Sequence, residues 1–119
     1  MSEMRLGTVE SKFADIIWDN EPLRPVELER IAEAELNWKR TTTLTILKRL
    51  CEKGIFQNKD RIITSLISRE EFYALQSEKF VNDTFEGSLP AFLAAFGTRK
   101  KLSEDEVEEL KTVIESMRR

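Results

Sequence analysis

The chain has 119 residues, of which 40% are hydrophobic and 34% are charged, a composition typical of a folded globular protein rather than a disordered or fibrous one. Histidine is absent and Cys51 is the single cysteine. One chain therefore cannot build the usual nucleophile–base pairs, a zinc site or an internal disulfide, so we expect no enzyme, no metal and no cofactor.

The sequence also bears on the cellular compartment. No apolar run approaches the roughly 20 residues that cross a bilayer, so we expect no membrane insertion. The start of the chain, "MSEMRLGTVESKF", lacks the apolar core and the small-residue cleavage site of a secretory signal. We expect Cys51 to pack as a small hydrophobic side chain in a reducing cytoplasm.

Two short helices are predicted before residue 37. The first has Thr8 as its N-cap and ends at "DNEP", because Pro22 disfavours helical geometry at the residue before it. The second begins at Pro25, since proline suits the first position of a helix. The helically spaced residues that mark the two buried faces are Val9, Phe13, Ile16, Ile17, Leu28, Ile31 and Ala32.

A third helix is predicted within "NWKRTTTLTILKRL", which spans residues 37–50, with Gly54 at its C′ position. Its buried face is marked by the i, i+3, i+4, i+7 series Thr43, Ile46, Leu47 and Leu50. Threonine is a mediocre helix former, so its abundance on the remaining surface needs an explanation. That outward face and its flanks carry Thr41, Thr42, Leu44, Thr45, Lys48 and Arg49.

Charge distribution favours an explanation based on DNA. The whole chain has a formal charge of −3, but residues 39–61 contain seven basic and two acidic residues, a formal charge of +5. The seven basic residues are Lys39, Arg40, Lys48, Arg49, Lys53, Lys59 and Arg61. Threonine hydroxyls donate to phosphates or base edges, and the threonine methyl packs against the thymine methyl. DNA contact therefore explains this helix better than an incidental arrangement of surface threonines.

The next segment predicts a hairpin, because "IFQ" and "IITSLI" flank the polar tip "NKDR". Three helices followed by a hairpin is the order of a winged helix-turn-helix, whose third helix enters a DNA groove. Lys59 and Arg61 would then lie at the tip of the wing. We expect a mainly α protein with a winged-helix DNA-binding domain over residues 1–68 and a helical dimerisation region over residues 69–119.

Three more helices are predicted after the hairpin, with capping boxes at Ser68–Glu71 and Ser103–Glu106 and a short apolar helix, "LPAFLAAF", between them. About fifty residues bury only a modest core, so we expect burial against a second copy rather than a self-contained subdomain. The residues predicted at this homodimer contact are Tyr73, Phe80, Phe85, Leu89, Phe92, Leu93, Phe96, Val107, Leu110 and Ile114.

Residues 6–54 resemble the N-terminal domain of the penicillinase-repressor family, of the BlaI, MecI and CopY type. The matching features are "IIW" at the end of the first helix, Trp38 before the third, and "TTLTILKRLCEKGI". The later run "FLAAFGTRKKLSEDEVEELKTVIE" resembles the C-terminal segment of the same family, so the similarity covers nearly the whole chain. The resemblance implies a homodimeric repressor of a palindromic operator. It carries the family's third-helix DNA contacts over to Thr41, Thr42, Leu44 and Thr45.

The chain departs from the family at several positions. Leu44 replaces a basic residue often found there, and the wing is shorter and less basic than usual. In the β-lactam-responsive members a sensor protease triggers cleavage of an Asn–Phe bond, and the corresponding positions here are Ala95 and Phe96. The C-terminal cysteine cluster of the copper-responsive members is missing. The resemblance implies an upstream sensor protease as a partner, but neither inducer mechanism carries over at these positions.

One alternative function belongs to a different class: a winged-helix protein-interaction module without DNA binding. Such a module usually presents large apolar anchors to its partner. Leu44 is the only candidate anchor on the outward face of the third helix, so DNA binding is the preferred hypothesis.

Overall fold

The computed structural model describes residues 6–119. The elements are α1 (Thr8–Asn20), α2 (Pro25–Leu36), α3 (Arg40–Glu52), β1 (Phe56–Lys59), β2 (Ile62–Ser65), α4 (Arg69–Phe85), α5 (Leu89–Gly97) and α6 (Glu104–Ser116). Three helices and then a two-stranded antiparallel hairpin confirm the predicted winged-helix order, and the remaining described chain is helical. The chain divides into two compact units, the first ending at Ser77 and the second beginning at Glu78.

The first unit encloses the hydrophobic core of the described residues. Phe13, Ile16, Ile17, Leu28 and Ala32 are buried as helical spacing predicts, and the hairpin adds Phe56 and Ile63. The prediction of Val9 on the buried face is wrong, because this residue lies in the first turn of α1 and is 51% exposed, and Ile31 is only half-buried. In α3, Thr43, Leu47 and Leu50 are buried, as predicted, whereas Ile46 is only partly buried where it packs against the core. The buried apolar residues are Phe13, Ala14, Ile16, Ile17, Leu23, Leu28, Ala32, Leu47, Leu50, Ile55, Phe56, Ile63 and Phe72.

Two helix ends show how local chemistry sets the boundaries. The N-cap of α1 is Gly7, so the prediction of Thr8 at that position is wrong by one residue. The Gly7 N–H donates to the Glu10 carboxylate at 3.2 Å, which satisfies one backbone donor at this end of the helix without a hydroxyl. At the other boundary, Gly54 follows α3 with φ = 83°, a left-handed conformation that glycine adopts without strain.

The hairpin turn is narrower than the four-residue tip that the sequence predicts. Lys59 pairs with Ile62, so only Asp60 and Arg61 form the turn, with φ values of 56° and 62°. Positive φ at both central residues is the pattern of a type I′ turn. The base of the hairpin is fixed by the Glu21 carboxylate, which accepts hydrogen bonds from the backbone N–H and the hydroxyl of Ser65.

The second unit comprises the end of α4 together with α5 and α6. Ser103 Oγ accepts from the Glu106 N–H at 3.1 Å, and Glu106 accepts from the Ser103 N–H at 3.1 Å, so the second capping box is confirmed. Ser88 caps α5 in the same way through the Ala91 N–H. Over residues 6–119, no helix combines the length and the apolar character needed to cross a membrane.

Candidate nucleic-acid interface

The outward face of α3 carries hydroxyls and a lysine. Because Thr43, Leu47 and Leu50 anchor the helix in the core, the residues opposite them are exposed. These exposed residues are Thr41, Thr42, Thr45 and Lys48. Leu44 is only half-buried, and no large hydrophobic residue of α3 is exposed. The face therefore lacks the apolar anchors expected of a protein-docking helix.

A groove of about 730 Å³ lies beside this face, between the start of α2, the start of α3 and the wing tip. We call it the arginine groove, and its lining residues are Arg24, Pro25, Val26, Glu29, Arg40, Asp60, Arg61 and Ile62. Arg40 and Arg61 are 21 positions apart in the chain, yet the fold brings both predicted DNA-binding residues to this one groove.

Arg24 is a lining residue that sequence reasoning missed. It lies outside the basic segment, and its neighbours Glu21 and Glu27 hide it in any local charge count. Its one signal is its position directly before Pro25, which places it at the N-cap of α2. There its cationic side chain lies at the positive end of a helix and lines the same groove as Arg61.

Ion pairs separate the predicted basic residues into two groups. Arg49 Nη1 lies 3.1 Å from Glu10 Oε2, and Arg40 Nε lies 3.3 Å from Glu29 Oε1. These two arginines therefore already have carboxylate partners. By contrast, the basic side chains with no ion pair to another residue within 6–119 include Lys39, Lys48, Lys59 and Arg61.

Glu10 is the centre of one of these pairings. Burial raises the pKa of its carboxyl, but the Gly7 N–H, Arg49 and Lys53 together outweigh burial, so its pKa lies below the ordinary value. Glu10 is thus ionised at neutral pH and joins the start of α1 to the end of α3. Arg49 consequently brings less net positive charge to the surface around α3 than the sequence count suggests.

Cys51 is a free, half-buried thiol that packs against the core. Burial raises its pKa, and the neighbouring Glu52 carboxylate raises it further, which disfavours the reactive thiolate. Within residues 6–119, no three side chains of the His, Cys, Asp or Glu types group closely enough to hold a metal ion. The arrangement offers positive charge and hydrogen-bond donors rather than a catalytic group.

The predicted dimer-contact residues fall in both units. Tyr73 lies in the first unit, where its ring contacts Trp18 and Phe72. The other nine lie in the second unit, where neighbouring ring centroids among Phe80, Phe85, Phe92 and Phe96 are 5.6–6.2 Å apart. No residue of 78–119 is buried. Phe80, Phe96 and Ile114 are each about half exposed.

Comparison of the sequence with known proteins shows the family of this chain. The family model described as penicillinase repressor matches residues 6–116. The methicillin resistance regulatory protein MecI of Staphylococcus aureus (strain Mu50) is 26% identical over 113 residues, 92% of each chain, and that of Staphylococcus epidermidis has the same identity and coverage. The penicillinase repressor of Bacillus licheniformis is 23% identical over 115 residues, 93% of this chain and 90% of its own. Because the family model spans nearly the whole chain, the protein belongs to the penicillinase repressor family, whose members are regulatory repressors and not enzymes.

Proposed function

We propose that the protein represses transcription by binding a palindromic operator as a homodimer, with α3 in the major groove and the β1–β2 hairpin as a short basic wing. The observation that carries this proposal is the outward face of α3. Thr41, Thr45 and Lys48 are exposed on it, and α3 exposes no large apolar side chain. Small hydroxyls and a lysine without an ion pair in the described chain suit base edges and phosphates.

The roles of the α3 residues follow from their exposure and chemistry. Thr41, Thr42 and Thr45 are positioned to contact base edges or phosphates, and Lys48 to neutralise a phosphate. Leu44 offers no hydrogen-bond donor, so its contribution is limited to an apolar contact such as one with a thymine methyl. A protein-interaction module is the alternative, but it would need apolar anchors that α3 does not expose.

The exposed apolar surface of residues 78–119 supports dimerisation. A unit of this size with no buried residue cannot be stable through its own core, so a second copy is the simplest cover. We assign DNA binding to the chain up to residue 68 and dimerisation to residues 69–119. The start of α4 then serves both functions, because Phe72 is buried in the core of the first unit.

We further propose that an asparagine-directed sensor protease does not relieve repression by this protein. Ala95 stands at the family cleavage position, and the Ala95–Phe96 bond lies inside α5, where the backbone is helical rather than extended.

We also propose that the protein acts in the cytoplasm. A repressor must reach the DNA that it binds, and the single free cysteine suits a reducing compartment.

Titration of DNA binding with salt tests the proposal. If each subunit neutralises about three to five phosphates, the dimer should show a log–log salt slope of roughly −5 to −9. Footprinting should show two protected half-sites about one helical turn apart, or a multiple of that spacing. A salt-independent complex, or one half-site protected by a monomer, would contradict the proposal.

Two substitutions in α3 should separate phosphate contact from base contact. Lys48→Glu should weaken binding to all duplexes, because reversing the charge acts on any phosphate backbone. Thr45→Ala should change the preference among operators by about 1–3 kcal/mol if its hydroxyl or methyl contacts a base. Lys12→Glu on α1 makes the same charge change as the first variant and is the control. Equal effects of Lys48→Glu and Lys12→Glu would argue against α3.

A further inference from the structure

We propose that the arginine groove holds the sugar–phosphate backbone of the bound DNA, with Arg24 as a direct phosphate contact and Glu29 as an internal counter-ion that limits affinity. This inference rests on the proposed function and goes beyond it, because neither residue belongs to α3 or to the basic segment. It assigns the start of α2 to the DNA-binding surface.

Three guanidinium groups from three elements line the groove. Arg24 comes from the N-cap of α2, Arg40 from the first position of α3, and Arg61 from the wing turn. Neither Arg24 nor Arg61 has an ion pair with another residue of the described chain. One guanidinium group can bind two phosphate oxygens at once through parallel N–H donors. Two exposed arginines that line one groove therefore match a phosphodiester chain.

The position of Arg24 adds a second favourable effect. As the N-cap of α2 it lies at the positive end of the helix dipole, where anions are stabilised. Val26, in the first turn of α2, also lines the groove, so that helix end borders the space a phosphate would occupy. The groove is continuous from α2 to the wing, and such a path suits an extended anionic strand.

Two carboxylates of the groove, Glu29 and Asp60, oppose this attraction, and of the two it is Glu29 that pairs with an arginine. Its side chain is only 18% exposed, and its Oε1 lies 3.3 Å from Arg40 Nε, so Arg40 is already partly neutralised. A phosphate that enters the groove must share Arg40 with this carboxylate and is repelled by its charge. We infer that Glu29 lowers affinity for any DNA backbone, which leaves contacts to the bases a larger share of the binding energy.

Two variants of the full chain test the inference on duplex DNA. Arg24→Gln should weaken binding to operator and unrelated duplex alike by roughly tenfold, and should reduce the magnitude of the salt slope by about one per subunit. Glu29→Gln should strengthen both complexes by roughly three- to tenfold, because it frees Arg40 for phosphate. It should also increase the magnitude of the salt slope by about one per subunit.

Matched controls come from a separate groove between α1 and α2 that is lined by Lys12 and Glu35. Lys12→Gln and Glu35→Gln make the same charge changes away from the arginine groove and should leave affinity and slope nearly unchanged. Arg24→Lys keeps the positive charge and should retain most of the slope. This variant distinguishes loss of a phosphate contact from damage to the start of α2.

The outcomes are distinguishable. If the wild-type chain binds no duplex, the proposed function itself fails. If the wild-type chain binds but Arg24→Gln or Glu29→Gln behaves like its control, the corresponding assignment is overturned while the proposed function stands. A free-anion site is tested with inorganic phosphate at constant ionic strength. Phosphate binding that Arg24→Gln abolishes, while the same variant keeps the wild-type affinity for duplex DNA, would overturn the backbone assignment, because the groove would then bind free phosphate and not DNA.

Discussion

Thr43 illustrates how a single residue can satisfy a hydrophobic pattern while carrying a polar atom. It is fully buried on the inner face of α3, and its hydroxyl has no hydrogen-bond partner in the part of the chain that the structure describes. Helical spacing alone predicted the burial. The free energy of unfolding is lowered by such a group, because an unsatisfied buried hydroxyl costs roughly 1–3 kcal/mol.

Replacing this hydroxyl should stabilise the protein. Thr43→Val keeps the branched shape and removes the unpaired polar atom, so the free energy of unfolding should rise by about 1 kcal/mol. Urea denaturation followed by circular dichroism measures the change. Thr42→Val makes the same substitution at an exposed neighbouring position and should change stability by no more than a few tenths of a kcal/mol. A less stable Thr43→Val protein would show that the hydroxyl is needed.

At the scale of elements, ionic contacts join helices that are distant in sequence. Glu10 joins α1 to α3 through Arg49 and Lys53. Arg69, the first residue of α4, pairs with Asp15 and Asp19 of α1 and lies 5.7 Å from the centroid of the Trp18 ring. These contacts add orientation to a core that apolar burial already stabilises, since partly exposed pairs contribute little free energy on their own.

The contribution of the Glu10 pairing should depend on pH. Its pKa is lowered in the folded protein, so its stabilisation is present above the ordinary value of about 4.5 and is lost as the pH falls through the folded-state pKa. Glu10→Gln should therefore lower the free energy of unfolding by roughly 0.5–1 kcal/mol at neutral pH. The difference from wild type should shrink below a pH of about 4.5.

Urea denaturation of both proteins at neutral pH and at a pH of about 3.5 measures this dependence. Glu35→Gln, which changes an exposed carboxylate with no ion pair among residues 6–119, serves as the control and should show no such trend. A deficit in Glu10→Gln that stays constant across this range would mean that packing rather than charge explains the contact.

For the whole molecule, stability depends on how the apolar surface of residues 78–119 is covered. Phe80, Leu89, Phe96 and Ile114 remain exposed in one chain, although the ring cluster around Phe92 is partly formed. A dimer that buries this surface would also double the number of DNA contacts, because its two winged helices would bind one operator together.

Truncation after Ala95 should make the protein largely monomeric. It removes Phe96 and all of α6, and with them much of the apolar area that a second copy would cover. Operator binding should weaken strongly, because one winged helix keeps only half of the contacts. Analytical ultracentrifugation at micromolar concentration measures the oligomeric state, and truncation after Ser116, which leaves α6 complete, is the control.

A point variant tests the same interface without deleting a helix. Phe96→Asp places a charge on an exposed apolar position and should also favour the monomer, while the first unit keeps its thermal transition. A dimer that persists in both the truncated chain and Phe96→Asp would place the contact elsewhere.

The sequence by itself determined the order of the elements, most of the buried face of each N-terminal helix, the capping box before α6 and the family. The helices, their buried faces and the capping box depend on residues three or four positions apart, and the hairpin depends on adjacent strands, so local geometry is sufficient to specify them. It also identified the outward threonines of α3, because an exposed face follows directly once the buried one is known.

Only the tertiary structure decided which basic side chains have carboxylate partners and which lie together in one groove. Arg49 and Glu10 are 39 positions apart, and Arg24, Arg40 and Arg61 come from three different elements, yet packing brings each group together. A count of basic residues treats all of them as equal. The electrostatic interaction of two side chains depends instead on the distance between them and on their exposure, and for residues far apart in sequence the folded core sets both.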